Sequence, residues 1–138
     1  MTVTAVENER AMLEFGSQIS YNIAKGEVIF LAGELGAGKT TLVKGVLLGL
    51  GYNGNVTSPT YTLVESYAIN DMMVFHLDLY RMKSPEELEM IGFRDMLSAQ
   101  TICLIEWPER ALNALPRPDK EIMISYADKG RTIEIVHR

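Results

Sequence analysis

The chain has 138 residues, of which 47% are hydrophobic and 22% are charged, and its formal net charge is −5. This balance excludes a disordered chain and predicts one globular domain over residues 1–138, while the acidic charge argues against direct binding to DNA or RNA, whose affinity comes largely from clustered Lys and Arg. No apolar run approaches the ~18 residues of a membrane span and no signal-peptide pattern is present, so we expect a cytoplasmic protein that does not enter a membrane.

The first elements are a short strand and a helix. Residues 2–6 alternate polar with apolar side chains, which predicts an edge strand. From Asn8 onward the apolar residues recur at helical spacing, which predicts an amphipathic helix ending near Lys25 and Gly26. Its apolar positions are Met12, Phe15, Ile19 and Ile23.

The next stretch carries the strongest motif of the chain. Residues 33–40, here called the phosphate-binding loop, fit the spacing G-x-x-x-x-G-K-[ST]. An apolar run at 27–32 predicts a buried strand before the loop, and residues 41–48 predict a helix after it. In such a loop the backbone N–H groups bind phosphate, Lys39 reaches the β- and γ-phosphates, and the Thr40 hydroxyl binds Mg²⁺. A dinucleotide-binding motif is disfavoured because it would need glycine where Thr41 stands.

The segment that follows this helix is a predicted loop. Residues 52–60 are rich in Gly, Asn, Ser and Thr, and two interpretations of them stay open. Thr57, Ser58 and Thr60 either approach the γ-phosphate as a nucleotide-sensing segment or belong to a plain surface loop.

Two strand-like runs, 61–69 and 72–80, flank Asn70 and Asp71, which predicts an antiparallel hairpin. On the second strand His76, Asp78 and Tyr80 share one face, opposite an apolar face. That polar face either meets solvent or forms part of a site. For His76 alone a structural role is favoured.

The second half of the chain adds a helix, a buried strand and a hairpin. Ser84 begins a capping-box pattern that predicts a helix to about Ile91. The run 101–105 predicts a strand buried on both faces, within which Cys103 is a core residue. Glu106 directly follows this strand. In nucleotide hydrolases, an acid in the corresponding position binds Mg²⁺ or orients an attacking water. Residues 121–126 and 132–136 predict a closing hairpin.

Four motifs in this order resemble a known family. They are Gly33-Glu34-Leu35-Gly36-Ala37-Gly38-Lys39-Thr40-Thr41, Ser58-Pro59-Thr60-Tyr61, His76-Leu77-Asp78-Leu79-Tyr80-Arg81 and Ile105-Glu106-Trp107-Pro108-Glu109. From its first helix to its last hairpin the chain is similar to the bacterial tRNA threonylcarbamoyladenosine biosynthesis ATPases of the TsaE (YjeE) family. Glu34 replaces a common Asp and Tyr61 a common Phe, and neither change touches the phosphate chemistry.

This resemblance implies a small ATPase that binds ATP and Mg²⁺. Its partners would be the threonylcarbamoyl transferase TsaD and its companion TsaB, which modify the adenosine beside the anticodon, so that tRNA is reached only through the complex. The resemblance assigns the metal to Thr40 and Glu106, the phosphates to Lys39, and the catalytic water or the metal shell to Asp78. Residues 33–41 would contact the nucleotide, and so would Glu9 and Arg131. Trp107 directly follows the predicted acid, so it either contacts the nucleotide or fills the strand end as a core or surface aromatic residue.

The combined expectation is an α/β three-layer P-loop NTPase-like fold with a mixed sheet and antiparallel hairpins. The alternative is a small P-loop nucleotide kinase, for whose lid and acceptor segments the chain has little spare length. Because no stretch resembles a substrate pocket, we expect ATP hydrolysis to be slow without partners.

Overall fold

The computed structural model describes residues 2–138. Its strands are β1 (Thr2–Val6), β2 (Val28–Gly33), β3 (Val64–Ile69), β4 (Met72–Asp78), β5 (Thr101–Glu106), β6 (Lys120–Tyr126) and β7 (Arg131–His137). Its helices are α1 (Glu9–Ser20), α2 (Lys39–Leu50), α3 (Glu86–Met90) and α4 (Phe93–Met96), with 3₁₀ turns at Pro108–Arg110 and Leu112–Ala114.

The strands form one mixed sheet in the order β1-β7-β6-β2-β5-β4-β3. The four inner strands, β6, β2, β5 and β4, are parallel to one another, whereas β1, β7 and β3 pair antiparallel to their neighbours. The predicted hairpins and mixed sheet are therefore confirmed. Because parallel strands end at the same edge of a sheet, the carboxyl ends of β2, β5 and β4 lie side by side.

Helices cover both faces of the sheet, as expected for a three-layer fold. On one face α1 and α2 pack over a core that includes Ile29, Leu31, Leu104, Ile122 and Ile133. On the other face α3 and α4 pack over Val28, Phe30, Leu77, Cys103 and Ile105. Cys103 is the predicted core residue, and burial raises the pKa of its thiol to about 11.

The two long helices approach each other closely through glycines. A methyl group at Gly45 would overlap the carbonyl oxygen of Leu13, and one at Gly16 would lie 2.5 Å from the carbonyl oxygen of Leu42. Side chains at these positions would force the helices apart. The contact therefore fixes α2, and with it the loop at its start, against α1.

Several boundaries differ from the sequence prediction. Helix α1 ends at Ser20 instead of near Lys25, because the N–H groups of Tyr21, Asn22 and Ile23 donate to carbonyls three residues back and tighten the last turn. Strand β3 starts only at Val64, since residue 63 has a left-handed φ of 72°.

Two further elements of the second half are shorter than predicted. Strand β4 ends at Asp78 instead of residue 80, although the N–H of residue 79 still donates to the carbonyl oxygen of Glu106 on β5. Helix α3 begins at Glu86, two residues after the predicted Ser84. The Glu87 carboxylate nevertheless accepts a 2.9 Å hydrogen bond from the Ser84 N–H, which is one half of the expected capping box. No helix within residues 2–138 is long and apolar enough to cross a membrane.

Replacing Gly45 with alanine tests the helix contact. Alanine favours helices by about 1 kcal/mol over glycine. We still expect Gly45→Ala to lower the free energy of unfolding by about 1–3 kcal/mol, because the new methyl group has no space beside Leu13. Urea unfolding measures the change. The control, Leu48→Ala on the exposed side of the same helix, should shift it by less than about 0.5 kcal/mol. Unchanged or increased stability of Gly45→Ala would show that the helices do not touch there.

Candidate functional site

The phosphate-binding loop joins the end of β2 to the start of α2. Gly36 and Gly38 have φ of 79° and 111°, a left-handed conformation that disfavours any side chain. Gly38 is also the residue that caps α2, so the free N–H groups and the positive end of this helix's dipole face the loop. A helix start of this kind, preceded by a glycine-rich turn, favours the binding of an anion.

Lys39 is held inside the loop and is only 5% exposed. Its Nζ donates to the carbonyl oxygens of Gly33 and Glu34, the second at 3.1 Å, and lies 3.9 Å from the ring centroid of Trp107. Burial lowers the pKa of Lys39, an effect that nearby carboxylates, first among them Glu106, oppose. The ammonium group is therefore in place to exchange carbonyl partners for phosphate oxygens.

Two buried carboxylates face this lysine from the sheet. Asp78 and Glu106 end the neighbouring parallel strands β4 and β5, are paired in register, and are 6% and 2% exposed. Glu106 Oε2 accepts a 3.0 Å hydrogen bond from the hydroxyl of Thr40 and lies 2.5 Å from His76 Nε2. The bond to Thr40 joins the predicted acid to the predicted metal-binding hydroxyl.

Asp78 is partly engaged within its own turn. Its Oδ1 accepts a 3.0 Å hydrogen bond from the N–H of Tyr80, and its Oδ2 lies 3.5 Å from the hydroxyl of Thr60. Burial raises the pKa of Asp78, the Tyr80 N–H opposes that shift, and the charge of Glu106 adds to it. Asp78 is thus a partly shielded carboxyl group at the mouth of the loop.

One open cavity brings most of the predicted site residues together. It is lined by Lys39, Thr40, Thr60, Asp78, Glu106 and Trp107. The oxygen donors of Thr40, Asp78 and Glu106 fit Mg²⁺, which prefers carboxylate and hydroxyl oxygens and retains several waters. Within residues 2–138 no three His, Cys, Asp or Glu side chains form a metal-binding group. A cation in this cavity would therefore complete its shell with phosphate oxygens and water.

A second cavity lies beside the loop and contains further predicted residues. Glu9, Thr41 and Arg131 line it together with Gly36 and Gly38. The Arg131 Nε donates to the carbonyl oxygen of residue 37 at 3.1 Å, so the guanidinium supports the loop backbone. The predicted nucleotide-contacting residues thus form the loop or lie beside it. Glu9 and Arg131 line a different cavity from Asp78 and Glu106.

The segment of residues 52–62 has no helix or strand and reaches the first cavity at one point. The Thr60 hydroxyl lies 2.7 Å from that of Ser58 and faces Asp78. Thr57 instead exchanges backbone hydrogen bonds with the hydroxyl of Tyr67 on β3. Of the three predicted residues, Thr60 is therefore the one that approaches Asp78.

Sequence reasoning missed two contacts of the site. The hydroxyl of Tyr126 donates to the carbonyl oxygen of Leu35 at 2.9 Å, and His76 contacts Glu106. Tyr126 ends β6, the parallel neighbour of β2, and this strand-end position was the available signal. The sequence favours a structural role for His76, although His76 shares the strand face of Asp78.

Comparison with known proteins gives a consistent result. The family model of TsaE, threonylcarbamoyl adenosine biosynthesis protein, matches residues 6–133. A protein of Haemophilus influenzae named tRNA threonylcarbamoyladenosine biosynthesis protein TsaE is 46% identical, over 95% of this chain and 86% of its own. A protein of the same name from Borreliella burgdorferi is 35% identical, over 94% and 95%.

A solved structure is also similar. The crystal structure of Bacillus subtilis YdiB superposes with a TM-score of 0.79 at 28% identity, covering 99% of this chain and 84% of that one. The architecture is therefore P-loop NTPase-like, as the sequence predicted. By its sequence and its fold, the chain belongs to the TsaE family of threonylcarbamoyl adenosine biosynthesis proteins.

Proposed function

We propose that the protein is a Mg²⁺-dependent ATPase that works with the transferase TsaD and its companion TsaB in the threonylcarbamoylation of tRNA. The observation that carries the proposal is the 3.0 Å hydrogen bond between Thr40 at the start of α2 and the buried Glu106 at the end of β5. This hydrogen bond joins the start of a helix that would bind phosphate to a carboxylate that would hold Mg²⁺. The names of the relatives supply the pathway.

The loop would bind the phosphates of ATP through its backbone. Free N–H groups at the start of α2 would donate to phosphate oxygens, and Lys39 would leave the carbonyls of Gly33 and Glu34 to meet the β- and γ-phosphates. Thr40 and Glu106 would hold Mg²⁺, which when bound neutralises phosphate charge and aligns the β- and γ-oxygens.

Asp78 would orient the attacking water. Its Oδ1 is occupied by the Tyr80 N–H, and its Oδ2 faces the cavity beside Thr60. The water oxygen would bond to the γ-phosphorus while the bond from that phosphorus to the bridging β,γ-oxygen breaks, giving ADP and phosphate. Oδ2 would accept a hydrogen bond from this water.

The partners would act through the 52–62 segment. Tyr61 is 83% exposed next to Thr60, and the Arg81 guanidinium lies 4.5 Å from the centroid of its ring. An exposed aromatic residue beside a cation is a common anchor at protein interfaces. Since Thr60 reaches Asp78, an event at the γ-phosphate can alter the surface that carries Tyr61. TsaB and TsaD would thus set the rate of hydrolysis, and tRNA would meet the protein only through them.

Removing the lysine of the loop should weaken ATP binding. We expect Lys39→Ala to lose about 1.5–3 kcal/mol, or roughly ten- to 150-fold in affinity, because a charge-assisted contact to phosphate is removed. Calorimetric titration with ATP and Mg²⁺ measures the loss. Lys44→Ala, in the same helix but outside both cavities, should bind as the wild type does. Wild-type affinity in a folded Lys39→Ala protein would refute the assignment of the loop.

Removing the charge of either acid should slow hydrolysis without unfolding the protein. Glu106→Gln and Asp78→Asn keep the size of each side chain, so we expect a loss of at least about tenfold in phosphate release for both. Glu106→Gln should also require more Mg²⁺ for half-maximal activity. A larger Mg²⁺ shift in Asp78→Asn would exchange the two roles.

The control for both acids is Glu134→Gln on strand β7, which should leave hydrolysis unchanged. Circular dichroism of each variant establishes that the fold is kept. Wild-type rates in both acid variants would contradict the proposed hydrolytic site.

A further inference from the structure

His76 is a fully buried histidine on the second strand from one edge of the sheet. It lies on β4, is 0% exposed, and its Nε2 is 2.5 Å from Glu106 Oε2. Within residues 2–138, His76 Nδ1 is the one buried side-chain nitrogen or oxygen without a hydrogen-bond partner. The ring is therefore engaged by one nitrogen alone, and its partner is the acid of the candidate site.

We propose that His76 is a positioning residue that orients the Glu106 carboxylate toward the metal. Glu106 Oε2 receives the Thr40 hydroxyl and the His76 ring, whereas Oε1 has no hydrogen bond within residues 2–138. Two donors on one oxygen fix the rotation of the carboxylate and leave the other oxygen available to the cavity. This inference rests on the proposed function, because it concerns the same Mg²⁺–ATP site.

The unpaired nitrogen determines which ring nitrogen carries the proton. A proton on Nδ1 would leave a buried N–H without an acceptor, which is more costly than an unpaired lone pair. In the Nε2–H tautomer, the ring donates its N–H to Glu106 Oε2, and Nδ1 keeps only an unpaired lone pair. The histidine therefore acts as a hydrogen-bond donor of fixed direction.

A purely structural residue at this position would not need a ring nitrogen. On the same face of the sheet, Val74 lies two residues before His76 on β4 and Leu104 is its register partner on β5, and both belong to the apolar core with Ile102. An aliphatic side chain would pack there without a buried unpaired nitrogen. The contact with Glu106 is what the imidazole adds, and it matches the general pattern in which a second residue orients each ligand of a metal.

A pair of variants separates positioning from packing. Glutamine at position 76 keeps an N–H near the place of Nε2, whereas leucine has a similar volume and no donor. We expect His76→Leu to need about tenfold more Mg²⁺, or more, for half-maximal ATP binding measured by calorimetry. ATP binding without Mg²⁺ should stay unchanged, because the phosphate-binding loop is intact. His76→Gln should keep most of the wild-type Mg²⁺ affinity.

A readout on the metal-free protein checks the tautomer. The chain has two histidines, so ¹⁵N NMR of the imidazole rings can distinguish His76 from the exposed His137. We expect the proton of His76 on Nε2 and none on Nδ1. His137→Gln is the matched control, and it should change neither the Mg²⁺ dependence nor the His76 signals.

Three outcomes would overturn the inference. Equal Mg²⁺ dependence in wild type, His76→Leu and His76→Gln would show that the ring does not orient Glu106. Equal weakening in Leu and Gln, together with equal loss of stability, would show a packing role instead. A proton on Nδ1 would contradict the geometry. Failure of the proposed function is distinguishable, because it would appear as ATP binding without any Mg²⁺ dependence in the wild type.

Discussion

The buried carboxylate of Glu106 is the group on which the rest of the site depends. A charge at 2% exposure is costly unless donors and cations surround it. Here the donors come from separate elements, Thr40 from α2 and His76 from β4, and the charge of Glu106 also favours the protonated form of Lys39. The residue thus ties the helix that begins at the phosphate-binding loop to the two strands that carry the acids.

Maintaining this site lowers the stability of the fold. Burial raises the pKa of Asp78, so its folded form binds a proton more readily than its unfolded form does. Stability therefore falls as pH rises through the ordinary carboxyl range toward the higher folded pKa. The close contact of α1 with α2 and the parallel inner strands form a rigid frame that holds Asp78 buried despite this loss of stability. Neither can shift without disrupting the core.

The sequence alone predicted those features that are written in local patterns. The glycine spacing and the Lys39-Thr40 pair predicted the phosphate-binding loop. The position of Glu106 directly after an apolar strand predicted that it is an acid of the same site. The proximity of Asp78 to Glu106 could not be predicted from local pattern, because it depends on β4 pairing with β5, whose position in the sheet is set by contacts distant in sequence. The same holds for His76, whose partner lies 30 residues away. The end of α1 was mispredicted because Ile23 keeps helical spacing after the helix has tightened into its last turn.

In the proposed function, nucleotide hydrolysis at this loop serves threonylcarbamoylation through partner proteins. Its most direct test is reconstitution of multi-turnover tRNA threonylcarbamoylation with TsaB and TsaD, adding wild-type protein, Thr40→Ala or Thr40→Ser. Serine keeps the hydroxyl that bonds Glu106, so the account predicts sustained modification with wild type and Thr40→Ser and its loss with Thr40→Ala. Equal multi-turnover modification with Thr40→Ala, or ATP hydrolysis as fast without TsaB and TsaD as with them, would contradict the account.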